Sequence, residues 1–218
     1  MSNPSRLVLV ALVGCAGCAL TSKSDPVMLR YFTPAGVPES TRTVATTADL
    51  GGRGLELRIG RVNAASNIKD RIAFRDDSHE IGYYEELRWS EKPESYLRRA
   101  IGRALFEDAG VRELVGRPGA TLEVELASFE ELRAPRHVAR VEVTWLLRDE
   151  QSVQLQRSFI VERPIASVKS DRRADAVASA LAAALAEAVR NIAGGVVSEM
   201  ARQSAATVSH GPSGAAAP

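Results

Sequence analysis

The 218-residue chain has few of the groups that carry chemistry. Its two cysteines, Cys15 and Cys18, both fall within the first eighteen residues, so the body holds no thiol for a disulfide or a zinc site. Its three histidines are scattered at His79, His137 and His210, and none has a histidine four residues away or a nearby cysteine. No Gly-x-Ser-x-Gly elbow is present, and the cluster Gly51, Gly52, Arg53, Gly54 precedes a strand without the lysine that a phosphate loop needs. An excess of one charge is missing too. The 28 Lys and Arg face 27 Asp and Glu, which leaves no basic surplus for nucleic-acid binding. The acidic pairs Glu85–Glu86 and Glu130–Glu131 point to opposite faces if they sit on strands, and such pairs read as solvated edges. The chain is therefore read as a non-enzyme that needs no metal and no cofactor.

What is present begins at the N-terminus. After Arg6 comes the apolar run Leu7 to Val13, followed by the small residues Gly14, Cys15, Ala16 and Gly17. A positive head, a short apolar middle and small residues in that order read as an export signal, and the run is well short of the roughly 20 residues a membrane span requires. A buried N-terminal strand or helix is the bland alternative. Leu12, Val13, Gly14, Cys15 look like a bacterial lipobox, with residues 1–14 removed and Cys15 lipidated. Cys18, preceded by Ala16 and Gly17, is the alternative, although Cys15 stands where its leucine would be. The Cys-x-x-Cys spacing also allows a disulfide or redox reading, which the export context makes less economical. Acyl chains on one residue anchor a domain without spanning the bilayer. In Gram-negative envelopes an aspartate after the lipidated cysteine retains the protein in the inner membrane. Ala16 and Ala19 stand at the two possible positions, so the expected address is the outer membrane, periplasmic face.

Residues 15–54 are read as the lipidated N-terminus, a short aromatic strand and a flexible loop; residues 55–204 as one domain; residues 205–218 as a disordered tail. Leu55, Leu57 and Ile59 alternate with polar residues, and Ile68 to Phe74 and Glu80 to Glu85 read as two strands joined by the Asp76, Asp77, Ser78 turn. A helix starts at Pro93, with Leu97, Ile101, Ala104 and Leu105 on one face and Gly110 as its stop. Three alternating runs follow, over Leu122–Leu126, Val141–Trp145 and Val153–Val161, with a turn at Asp149 to Ser152. From Asp171 to about Ser204 an alanine-rich helix carries an apolar line through Val177, Leu181, Leu185, Val189, Ile192 and Val196, and Gly194–Gly195 predict a bend or break. That stripe suits the covering of a sheet, with a membrane-surface or coiled-coil role as the rarer use. The fold class is α/β with α+β-like layers: a mixed, largely antiparallel sheet backed by two main helices.

The densest run of aromatic and cationic residues is Tyr83, Tyr84, Glu85, Glu86, Leu87, Arg88, Trp89. Tyr83, Tyr84, Arg88 and Trp89 form a candidate partner-contact patch, since Tyr, Trp and Arg dominate binding hot spots. The competing reading buries Trp89 and one tyrosine against the first helix. Arg75, Glu80, Ile81, Gly82, Tyr83, Tyr84, Glu85, Arg88, Trp89, Glu91, Pro93 and Glu94, with the lipobox and the early Leu29, Arg30, Tyr31, Phe32, resemble the ABC-type transport auxiliary lipoprotein family. The resemblance runs from Cys15 to about Met200, and neither the Pro- and Thr-rich stretch after Phe32 nor residues 205–218 has a counterpart in it. It implies an α/β fold with a sheet backed by two helices and a non-enzymatic role. It also implies partners: an ABC permease and ATPase, and a mammalian-cell-entry-type protein, together moving lipids or other apolar compounds between membranes. A homo-oligomer is compatible with it. The alternative from another class is a tethered regulator that activates a cell-wall synthase. Loss of residues 1–14 removes Arg6 alone and leaves 27 cations against 27 anions, so the mature domain relies on its acyl chains for the membrane and on shaped patches for partners.

Overall fold

A computed structural model describes residues 28–34, 54–76 and 79–209. The lipobox with Cys15 and Cys18, residues 35–53, the turn residues Asp77 and Ser78, and residues 210–218 lie outside the described residues.

The strands are β1 (Arg30–Phe32), β2 (Glu56–Ala64), β3 (Arg71–Arg75), β4 (Gly82–Trp89), β5 (Arg112–Glu113), β6 (Thr121–Leu132), β7 (Val138–Arg148) and β8 (Val153–Pro164). Helix α1 spans Pro93–Gly102 and widens into a π-helical turn over Arg103–Asp108; α2 spans Arg173–Ser209 after a short 3-10 turn at Ser170–Arg172. They form the expected mixed sheet backed by two helices. The long antiparallel ladders β6–β7–β8 make up most of it, and β3 pairs antiparallel with β4. The parallel pairs join segments distant in sequence. One edge of β6 is taken by β7, while its other edge is shared, with β2 beside Thr121–Leu126 and β3 beside Glu130–Leu132. β1 closes the far side, parallel to β4.

Period-two patterning builds the core. On β7 the residues Ala139, Val141, Val143, Trp145 and Leu147 are buried while their neighbours reach the outer face. Opposite them lies the line Val177, Leu181, Leu185, Val189, Ile192, Val196 from α2, and Leu97, Ile101 and Leu105 of the first helical segment pack beside it against β2 and α2, all buried. Each such side chain contributes about 1.5–3 kcal/mol on burial, which outweighs any local helix preference. α2 is long and apolar enough to cross a membrane by length and composition, yet it packs on β7 and β8 with most of its apolar window buried.

Two expectations need correction. α2 does not break at Gly194–Gly195; the helix is continuous through both and runs on to Ser209, past residue 204. Gly195 is there for packing, since a Cβ at that position would sit 2.9 Å from Cζ2 of Trp145. The Glu130–Glu131 pair is not a solvated edge, for Glu130 and Glu131 are both buried. Smaller differences are that β4 extends beyond Glu85 to Trp89, and that β5 is an added short strand beside β2. Gly110 does end the first helical segment, with a φ of 72°.

Candidate functional site

The β3–β4 hairpin carries the aromatic run. Gly82 stands opposite Phe74 in the ladder, and its missing side chain leaves room for the Phe74 ring, which crowds the place a Cβ would take. Phe74 then meets Tyr84 edge to face, with centroids 5.2 Å apart.

The four patch residues divide. Trp89 is in the core, stacked on Phe129 at 4.9 Å. Tyr84 is half-buried and turned toward β6, where its hydroxyl donates to Glu131 Oε2 at 2.6 Å. Tyr83 and Arg88 gather instead around Arg71 and the loop before β3. The Tyr83 hydroxyl donates to the Asn67 carbonyl at 2.8 Å, the Arg71 guanidinium lies 5.8 Å from the Tyr83 ring centre, and Arg88 reaches Asp70 at 3.6 Å. Trp89 is therefore structural, and Tyr83 and Arg88 are part-buried with their polar groups already bonded within the hairpin region.

Around Tyr84 lies a buried charge cluster that sequence reasoning did not assemble. The Glu131 side chain is fully enclosed. It accepts from the Tyr84 hydroxyl and from His137 Nε2 at 2.6 Å, with Arg133 Nε and Arg173 at 3.4 Å. An ionised carboxylate can only accept, so His137 donates here. Burial by itself would raise the Glu131 pKa, but the Tyr84 and His137 hydrogen bonds and the charges of Arg133 and Arg173 outweigh it and hold the carboxyl below its ordinary value. Burial, followed by the bond to Glu131, pushes the Tyr84 phenol up. Arg133 also covers the Phe74 ring at 3.5 Å and pairs with Asp76 at 3.1 Å. One carboxylate thus ties together β4, β6, the turn after β6 and the start of α2. Glu130 faces the other side, held by two bonds from Arg75 at 3.1 Å and by Ser128.

A signal for Glu131 existed in the sequence. The signal is Phe129, a large apolar residue out of phase with Leu122, Val124 and Leu126: the bulge between Leu126 and Ser128 shifts the period, so that Phe129 and with it Glu131 face the core, where an isolated carboxylate needs partners. Those partners come from three separate segments: β4, the turn after β6 and the start of α2. Among the described residues no group of three or more His, Cys, Asp or Glu is arranged to hold a metal ion. The cluster is made of mutually satisfied charges and fastens elements together.

The outer face of the sheet is left without a helix. It is polar, with the ion pairs Arg140–Glu162, Arg136–Glu162 and Arg148–Glu123. Among the described residues β8 pairs only with β7, so its other edge is open, and Val153 and Ile160 are exposed on it.

Comparison with known proteins places this architecture. A Xanthomonas campestris protein of the DUF330 family has a similar solved structure, at 26% identity and a TM-score of 0.60, with 69% of this chain and 88% of that one covered. A second solved structure, of an uncharacterized protein, shares the fold at 18% identity and a TM-score of 0.53, over 65% of this chain and 92% of that one. A search of curated proteins finds no match. The model of the ABC-type transport auxiliary lipoprotein component family matches residues 38–193, from the stretch before β2 to the middle of α2. That match spans well over half of the sequence and takes in both the aromatic hairpin and the Glu131 cluster, so the chain belongs to the ABC-type transport auxiliary lipoprotein family.

Proposed function

We propose that this protein is an outer-membrane lipoprotein, anchored through acyl chains on Cys15 and facing the periplasm, that docks to an ABC permease and ATPase and to their mammalian-cell-entry-type partner. The system it serves moves lipids or other apolar solutes between the membranes. The observation that carries this reading is the family match over residues 38–193, which hold β2 to β8 and the first half of α2, joined to a lipobox-like stretch upstream of it. The protein acts by binding and not by chemistry. Its polar groups at the hairpin, those of Tyr83 and Arg88 included, are spent on near neighbours, whereas the open β8 edge with Val153 and Ile160 is available to a partner or a sister copy.

Genetic epistasis tests it. A strain lacking this lipoprotein and a strain lacking the mammalian-cell-entry-type protein are expected to share one membrane-lipid defect, and the double deletion to be no worse than either. Additive, unrelated defects would contradict the proposal.

A further inference from the structure

Exposed large apolar side chains are few among the described residues, and three of them are nearly consecutive: Met28 at 79%, Leu29 at 47% and Tyr31 at 64% exposure. They form the start of the described chain and the edge strand β1. Arg30, between them, pairs with Asp175 at 2.9 Å, which brings the first turn of α2 alongside. The segment leading into that helix is Val168, Lys169, Ser170, Asp171, Arg172, Arg173, with Val168 again exposed. Arg172 stands three residues before Asp175 and so neighbours it on the helix surface. Among the described residues neither Lys169 nor Arg172 has an ion-pair partner, while Arg173 turns inward to Glu131. Around β1 the cations Arg30, Lys169 and Arg172 share the surface with Asp171 and Asp175, and the parallel register with β4 sets Glu85 and Glu86 beside Met28 and Leu29, so the cations left to an outside partner are Lys169 and Arg172.

We infer that this corner is a membrane contact: Met28, Leu29 and Tyr31 enter the headgroup layer of the leaflet that carries the anchor, and Lys169 and Arg172 meet the phosphates of anionic lipids. The inference rests on the anchor proposed above. Met28 follows Cys15 by 13 residues, so even a fully extended connection holds β1 within roughly 45 Å of the lipidated cysteine. Every other part of the described fold is further along the chain. Apolar side chains joined by a tyrosine and flanked by unpaired cations suit an interface where rings lie at headgroup depth and cations remain at the phosphates. The contact would fix how the domain stands on the leaflet, with β8 and the outer sheet face left for partners.

The test uses the full-length lipoprotein with a photoreactive phenylalanine analogue at position 31, 115 or 160, reconstituted in vesicles of phosphatidylethanolamine and phosphatidylglycerol. Val115 and Ile160 are also exposed and serve as controls. Phospholipid adducts are expected about five-fold more often from position 31 than from either control, as an interfacial segment buries its apolar face in the headgroup boundary. The pair Lys169→Glu and Arg172→Glu should lower the position-31 adduct in these vesicles and not in zwitterionic vesicles of phosphatidylethanolamine and phosphatidylcholine. Equal labelling at all three positions, or a protein adduct in place of lipid at position 31, overturns the contact. Incorporated palmitate is read in the same preparation. Its absence overturns the anchor, whereas the position-31 result decides the contact whichever way palmitate reads.

Discussion

Gly195 of α2 faces Trp145 of β7 so closely that a Cβ on the helix would lie 2.9 Å from the indole Cζ2 and 3.5 Å from Cη2. Its neighbour Gly194 has nothing within 4 Å of the same construction. The two glycines are identical to a propensity scale and opposite in context. Replacing a helical glycine with alanine ordinarily stabilises by about 1 kcal/mol, which is the expectation for Gly194→Ala. Gly195→Ala must displace a fully buried tryptophan, and overpacking of that kind costs about 1–3 kcal/mol. Urea denaturation of the two variants should therefore move the midpoint in opposite directions; a shift in the same direction would refute the packing role of Gly195.

Glu131 provides a pH test. Its folded pKa is depressed, so between that value and the unfolded value of about 4.3 the unfolded chain binds more protons and stability rises with pH. The contribution is fully present above about pH 4.3 and is lost as pH falls through the folded pKa. Glu131→Gln should destabilise by about 3 kcal/mol at pH 7, at the low end for breaking a buried charge pair because Arg133 and Arg173 keep contact with solvent. Stability curves of the two proteins should converge on acidification below pH 4. A gap that stays constant from pH 7 to pH 3 would mean that the carboxylate charge is not what matters.

These two sites also mark where sequence reasoning reaches and where it stops. The alternation of Val141, Val143 and Trp145, and the helical line from Val177 to Val196, depend only on the period of one element, so they were readable. The sharing of one β6 edge by β2 and β3 was not, because parallel pairing joins segments with no local turn to announce it. The Glu130–Glu131 pair departs from the expected solvated edge for a related reason. Its charges are compensated by Arg75, Tyr84, His137 and Arg173, which are adjacent only after folding. Gly194–Gly195 looked like a break because propensity knows nothing of Trp145. The aromatic hairpin was found as a cluster, but which of its residues point inward followed from the bulged β3–β4 register.

Trp89 and Ile160 should behave as opposites. Trp89 is buried and stacked on Phe129, so Trp89→Ala is expected to cost about 3–5 kcal/mol and to lower the yield of folded protein. Ile160 is exposed on the open edge of β8, and Ile160→Glu should leave stability within about 0.5 kcal/mol of the parent. It should nevertheless reduce capture of the transport partner. Circular dichroism melts and partner recovery, measured on the same preparations, separate the two effects.

The anchor is checked by labelling. Cys15→Ala is expected to abolish incorporation of radiolabelled palmitate and to release the protein in soluble form, while Cys18→Ala keeps both label and membrane association. Label retained in Cys15→Ala and lost in Cys18→Ala would move the attachment to Cys18.

Affinity purification of the full-length protein from solubilised membranes, with its partners identified by mass spectrometry, tests the docking role most directly. The ABC permease, its ATPase and a mammalian-cell-entry-type protein should be recovered together, and their recovery should fall with Ile160→Glu. Recovery of a penicillin-binding protein with no transporter subunit would contradict the account and favour a cell-wall regulator.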